Sequence, residues 1–172
     1  MKKNLGFFIL TEIMNHGENI PKQRNVSDLF WAGIKMTVAK PDKSCFVSFY
    51  QHIRRFRIYG QDGKLKRDVI LDLFPGQECP EVDDNMRLIH PICVYTTDNY
   101  IYTLNLDMTT EDVEDRKTTP NIQVFDWEGK PLIQYKLDCF INTFAVDEVA
   151  HKIYGVFVED EDHIYVFNLP QL

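Results

Sequence analysis

The chain has 172 residues, 44% of them hydrophobic and 13% aromatic, and a formal net charge of −7. This is the composition of a folded domain with a sizeable core, not of a disordered segment. The acidic balance excludes a general nucleic-acid role, which needs a basic face against phosphate, and no run approaches the ~18 apolar residues of a membrane-spanning helix.

The opening "MKKNLGFFIL" has two lysines before an apolar run, as a signal peptide would. The run breaks at Thr11-Glu12 and no small-residue cleavage site follows. It reads as a buried strand instead. "VSDLFWAG" (26–33) can hold one helical turn capped by Ser27 or Asp28; elsewhere helix signals are poor. Short strands separated by Gly, Pro, Asn and Asp dominate, which predicts a sandwich, barrel or propeller.

Internal repetition chooses among these. "MTVAKPDKSCFVSFY" (36–50), "ICVYTTDNYIYTLNL" (92–106) and "FAVDEVAHKIYGVFV" (144–158) are each a strand, a polar turn and a strand. With Val38, Val94 and Val146 as equivalent anchors, the next strand is met at Ile58, Val124 and Val166, after 20, 30 and 20 residues. The surplus in the second copy is "DMTTEDVEDRKTTP" (107–120), polar and acidic, which reads as a surface loop. A further insertion lies within 73–91. Two turns, "FRIYGQDGKLKRDVIL" (56–71) and "IQVFDWEGKPLIQYKL" (122–137), share an acidic-Gly-Lys corner. Setting the insertions aside leaves a period of 42 residues, and a period of about 40–50 with four strands per unit marks β-propeller blades.

The expected fold is therefore all-β, with about three four-stranded antiparallel blades, half of a six-bladed ring. The strands from channel to rim are 34–40, 44–51, 54–60 and 64–71 in blade one. Blade two has 91–96, 99–106, 121–127 and 131–137. Blade three has 141–147, 152–158 and 163–169, without an outer strand. The domain reading is 34–172 as three blades (34–72, 90–138, 141–169), with 1–33 as an N-terminal strand or partial blade. "NLGFFILTEI" (4–13) is the spare strand that could close a ring or cap an edge; residues 4–11 could instead belong to a preceding blade.

The stretch "VFDWEGKPL", followed by "FAVDEVAHKIYG" and a closing "IYVFNL", resembles the C-terminal half of the TolB-like six-bladed β-propeller family of Bacteroidetes. The resemblance covers residues 90–169 well and 34–72 more loosely. It implies a chain normally about twice this length, starting with an export or lipoprotein signal. Either the chain is a fragment completed by a missing N-terminal half, or two copies pair as a homodimer of three blades each. The resemblance places a full-length relative in the periplasm or cell envelope, while the chain as written carries no signal and would stay cytoplasmic. It implies no established activity.

No constellation of catalytic spacing is present: no nucleophile elbow, zinc-protease motif, P-loop or dinucleotide-binding glycines. Cys45, Cys79, Cys93 and Cys139 lack metal or disulfide spacing and read as small core residues. The acidic runs "VEDEDHIY" (158–165), "EVDD" (81–84) and "EDVED" (111–115) read as solvated turns, and "RRFR" (54–57) as the solvent face of a strand. Trp31 and Trp127 read as packing residues. No cofactor and no metal are expected.

Function is expected on loops that a rigid scaffold presents. Both insertions leave the blades on the same face, since B–C and D–A connections emerge together. The candidate binding residues there are Phe74, Glu78, Arg87, His90 and Arg116, with Asn142 entering the third innermost strand. The reading is a non-enzymatic binding module for a protein, peptide or glycan. The alternative is a propeller hydrolase or lyase with a central-channel site around a metal. The innermost strands "IKMTVAK", "PICVYT" and "INTFAVD" are mostly apolar or small, which favours binding.

Overall fold

Alternating apolar residues on short segments, with turn residues between them, produce a molecule built almost wholly of strands. The computed structural model describes residues 2–3, 6–8, 33–71, 88–115 and 119–170. The first sheet comprises β3 (Lys35–Ala39), β4 (Cys45–Tyr50), β5 (Arg55–Gly60) and β6 (Leu65–Ile70), in spatial order 3-4-5-6. The second has β7 (Leu88–Thr96), β8 (Tyr100–Thr109), β9 (Asn121–Asp126) and β10 (Pro131–Lys136). The third has β11 (Thr143–Asp147), β12 (Lys152–Phe157) and β13 (Asp160–Asn168). All pairs within these three meanders are antiparallel.

Two short strands add to the rims. β1 (Lys2–Lys3) runs parallel beside β13, Lys2 opposite Val166 and Lys3 opposite Phe167. β2 (Gly6–Phe8) runs antiparallel beside β10, Phe7 opposite Tyr135. The spare strand expected over 4–13 is thus described only as Gly6–Phe8, and that piece extends the second sheet. The outer place of the third sheet goes to Lys2–Lys3. The expected single turn within 26–33 lies outside the described residues except for Gly33.

The cores sit between the sheets. The first seam packs Val47, Phe49, Phe56, Ile58 and Val69 against Ile101 and Phe125, all buried. Phe49, Phe56 and Phe125 form an aromatic triplet with centroids 4.4, 4.9 and 6.0 Å apart; such pairs add ~0.5–1.5 kcal/mol each beyond their burial. The second seam packs Tyr102, Val124 and Tyr135 against Phe144, Val146, Ile153 and Phe167. Gly155 is needed there, since a Cβ would lie 2.7 Å from Ile141 Cδ1. At the first seam Gly129 turns with φ +85°, and a Cβ would lie 2.6 Å from Val69 Cγ2.

Register corrects the sequence anchors. Val38 aligns with Val47 and Ile58 in one row facing the second sheet. The corresponding row of the second sheet is Tyr95–Tyr102–Val124, which faces the third, and that of the third is Ala145–Tyr154–Val166. Val94 and Val146 therefore stand one residue off and point to the other side. In a period-two structure a slip of one residue exchanges faces, and three apolar valines could not reveal it.

Three boundaries also differ. β7 starts at Leu88 rather than 91, and β13 at Asp160 rather than 163, because the β12–β13 turn is only Val158-Glu159. The insertion after residue 106 is not simply a loop. β8 continues to Thr109, and a short helix α1 (Thr110–Glu114) follows. Thr109 caps it: its Oγ1 accepts from the Asp112 backbone N–H at 3.1 Å and donates to Asp112 Oδ2 at 2.9 Å.

Candidate functional site

The connections β4–β5, β6–β7, β8–β9, β10–β11 and β12–β13 leave one end of the sheets, and the hairpin turns β3–β4, β5–β6, β7–β8, β9–β10 and β11–β12 leave the other, as strand alternation requires. At the first end, two sheets meet around one carboxylate. Asp107 lies where β8 bends, with φ +54°, a left-handed conformation that Asp tolerates better than most residues. His90, in β7, is 6% exposed, and its Nδ1 donates to Asp107 Oδ1 at 2.8 Å. Arg54, just ahead of β5, places a guanidinium nitrogen 3.3 Å from the same oxygen. Burial pushes the Asp107 pKa up, but the His90 and Arg54 contacts and a hydrogen bond from Asn121 outweigh it, holding the carboxyl below its ordinary value. Asp107 is therefore an anion at neutral pH.

The surroundings fix this cluster. The His90 backbone N–H donates to Gln51 O at 2.8 Å, and His52 Nδ1 donates to Leu88 O at 3.0 Å. A recess lined by Ile53, Arg54, Leu71, His90, Asn105 and Asp107 opens here, with about 10 Å³ for the centre of a water-sized sphere. That is space for one water at most. The imidazole–carboxylate pair has the form of an oriented acid–base group, yet among the described residues that line the recess there is no Ser, Thr or Cys that could act as nucleophile. Among the described residues no group of three His, Cys, Asp or Glu could hold a metal ion. What the arrangement does is tie backbone segments together.

Of the candidates read from the sequence, His90 stands in the cluster. Asn142 stands at the same end but in a separate place, its Oδ1 accepting from Val158 N–H at 3.1 Å. Phe74, Glu78, Arg87 and Arg116 lie outside the described residues, as does Trp31. Arg54 and Asp107 were missed, one read within a solvent-facing "RRFR" run and the other as the start of an acidic loop. Their signal is positional: both flank connections that share the end where His90 enters. The solvent-face reading of Arg55 and Arg57 is also corrected. Both are mostly buried and bind Asp68, with Arg55 Nε at 2.6 Å and Arg57 Nε at 3.2 Å, which holds the Asp68 carboxyl below its ordinary value.

The opposite end carries a different fastening. Glu148 accepts from Thr97 Oγ1 at 2.7 Å, Asn99 Nδ2 at 3.1 Å and Tyr102 Oη at 3.0 Å, joining the second and third sheets. Trp127, expected as packing, also donates from Nε1 to Thr97 O at 3.1 Å. Cys45, Cys93 and Cys139, not in disulfides, stand at the margins of the two cores, only partly buried, and Cys79 lies outside the described residues.

Two four-stranded meanders and a three-stranded one, stacked face on face with their connections sorted to two ends, are blades of a β-propeller. Residues 92–149, a third of the chain, match the model of the TolB-like 6-blade propeller-like family. That match spans most of the second sheet and the innermost strand of the third. No curated protein is significantly similar to the chain. No helix among the described residues is long and apolar enough to cross a membrane.

Proposed function

We propose that the chain is a binding module that recognises a protein, peptide or glycan through the face bearing the B–C and D–A connections. One observation carries this reading. His90 closes the insertion 73–91, Asp107 opens the insertion 107–120, and the two are hydrogen-bonded across adjacent strands with Arg54 of the neighbouring blade. Both insertions thus rise from a base that is fixed by an ion pair and burial, which is how a rigid scaffold presents recognition loops. Among the described residues the opposite face has only tight turns, such as those at Gly63 and Gly129.

The test is a screen of the labelled chain against glycan and peptide arrays, repeated with two variants. Glu111→Lys changes an exposed position on α1 of the connection face, and Val149→Lys changes a turn residue of the other face that is 94% exposed. The expected result is binding that Glu111→Lys weakens and Val149→Lys leaves intact. Binding lost only in Val149→Lys, or no binding to either array, would overturn the reading.

A further inference from the structure

We propose that the recess beside His90 is a binding site for one ordered water molecule, so that the first seam is hydrated at its connection-bearing end. The same seam is apolar at the aromatic triplet of Phe49, Phe56 and Phe125. Towards the connections, the face that blade two turns to blade one changes character. The pair Ile101 and Phe125 is followed by the pair Thr103 and Gln123, and then by Asn105 on β8. Thr103 is 0% exposed, and Asn105 and Gln123 are each 5% exposed. The second seam shows that its packing does not require polar residues here. The row Val94–Thr103–Gln123 of blade two corresponds to Phe144–Gly155–Tyr165 in blade three. There Ile141 fills the space over Gly155.

Hydrogen bonds within the protein use only part of this polar surface. Asn105 donates from Nδ2 to Thr103 O at 3.2 Å and to Thr103 Oγ1 at 2.7 Å. The Thr103 hydroxyl donates to the backbone Gln123 O at 3.5 Å. Asn105 Oδ1 and the Gln123 carboxamide have no partner among the described residues. His90 gives its Nδ1–H to Asp107, and its Nε2 has no partner among the described residues either. All three side chains line the recess, and each is more than nine-tenths buried. Buried polar groups of this kind bond to protein or to ordered water, because leaving them unpaired is costly. The recess has room for one water, and a buried water needs two to four polar partners. The donor and acceptor pattern also fits. With the proton on Nδ1, the neutral His90 ring presents Nε2 as an acceptor. A water donates to that nitrogen and to Asn105 Oδ1, and accepts from the Gln123 amide. An anion would face the Asp107 carboxylate, and a cation would face the Arg54 guanidinium 3.3 Å from it. A water carries neither charge.

The first test is a crystal structure of the full chain, grown with bromide in place of chloride, at a resolution that shows waters. One water peak is expected within ~2.7–3.2 Å of at least two of His90 Nε2, Asn105 Oδ1 and the Gln123 carboxamide. An anomalous bromide signal in the recess, the lack of any peak there, or amides turned onto protein partners would overturn the proposal. In solution, water-oxygen magnetic relaxation dispersion counts long-lived internal waters. Gln123→Met, close in volume but without an amide, is expected to lose one such water with an unchanged circular dichroism spectrum. Gln61→Met, at an exposed turn of the other face, should lose none. An undiminished count in a folded Gln123→Met overturns the proposal; if that variant does not fold, the wild-type crystal decides alone.

Discussion

His90 Nδ1 donates a 2.8 Å hydrogen bond to Asp107 Oδ1, and this single contact joins the end of one long insertion to the beginning of the other. Neither residue is at a loop tip. Each sits at the root of a connection, so the contact governs how the loops are presented and not what they touch.

The Asp107 carboxyl, held below its ordinary pKa, gives a pH dependence of definite sign. The folded state binds the proton less readily than the unfolded chain. The stabilisation is therefore complete above the unfolded value of ~3.9 and is lost as pH falls through the lower folded value. Urea titrations across pH 2 to 6 should show wild type losing stability on acidification more steeply than Asp107→Asn. Asparagine keeps the left-handed backbone preference while removing the charge.

Gly129 and Gly63 separate backbone strain from crowding. Both have positive φ, at +85° and +76°, but only at Gly129 does a Cβ collide, with Val69 across the seam. Gly63→Ala should cost ~1 kcal/mol of unfolding free energy from conformation alone. Gly129→Ala should cost a further 1–3 kcal/mol, roughly, from overpacking. Equal costs by chemical denaturation would contradict the seam geometry.

Two buried aromatics should respond oppositely. Phe125→Ala removes the second sheet's ring from the aromatic triplet and is expected to destabilise by ~3–5 kcal/mol. Tyr135 is 0% exposed, and among the described residues its hydroxyl has no hydrogen-bond partner. Removing an unsatisfied buried hydroxyl should be neutral or stabilising by ~1 kcal/mol, so Tyr135→Phe should melt no lower than wild type.

The same burial pushes the Tyr135 phenol up to about 12. Spectrophotometric titration should show at least two tyrosines, Tyr135 and Tyr102, whose phenols burial raises, absent from the transition near pH 10 and restored in the denatured chain. The sign for Tyr135 follows: the unfolded phenol ionises first, so its contribution to stability is complete below ~10 and is lost as pH rises towards 12.

Strand number, order and the sorting of connections were legible because turn residues and apolar alternation recur at a fixed spacing. The phase of that alternation was not. Val94 and Val146 are apolar on both readings, and only the pairing partners Thr103 and Ile153 decide which face they occupy. Helix α1 was announced by "TTED", a threonine with an acidic residue three positions on, but its five residues are too few for a periodic stripe. Of the site, His90 was legible from its place at the end of an insertion. Asp107 and Arg54 were hidden among like-charged neighbours, since charge runs are usually solvent faces and nothing local marks the member that is buried.

The most direct measurement is a double-mutant cycle between His90 and Asp107, using His90→Gln, Asp107→Asn and the pair, by equilibrium urea unfolding. A fastened base for the two insertions predicts a coupling free energy of ~1–3 kcal/mol between the sites. Strictly additive losses would show that the two roots are independent and would contradict the account.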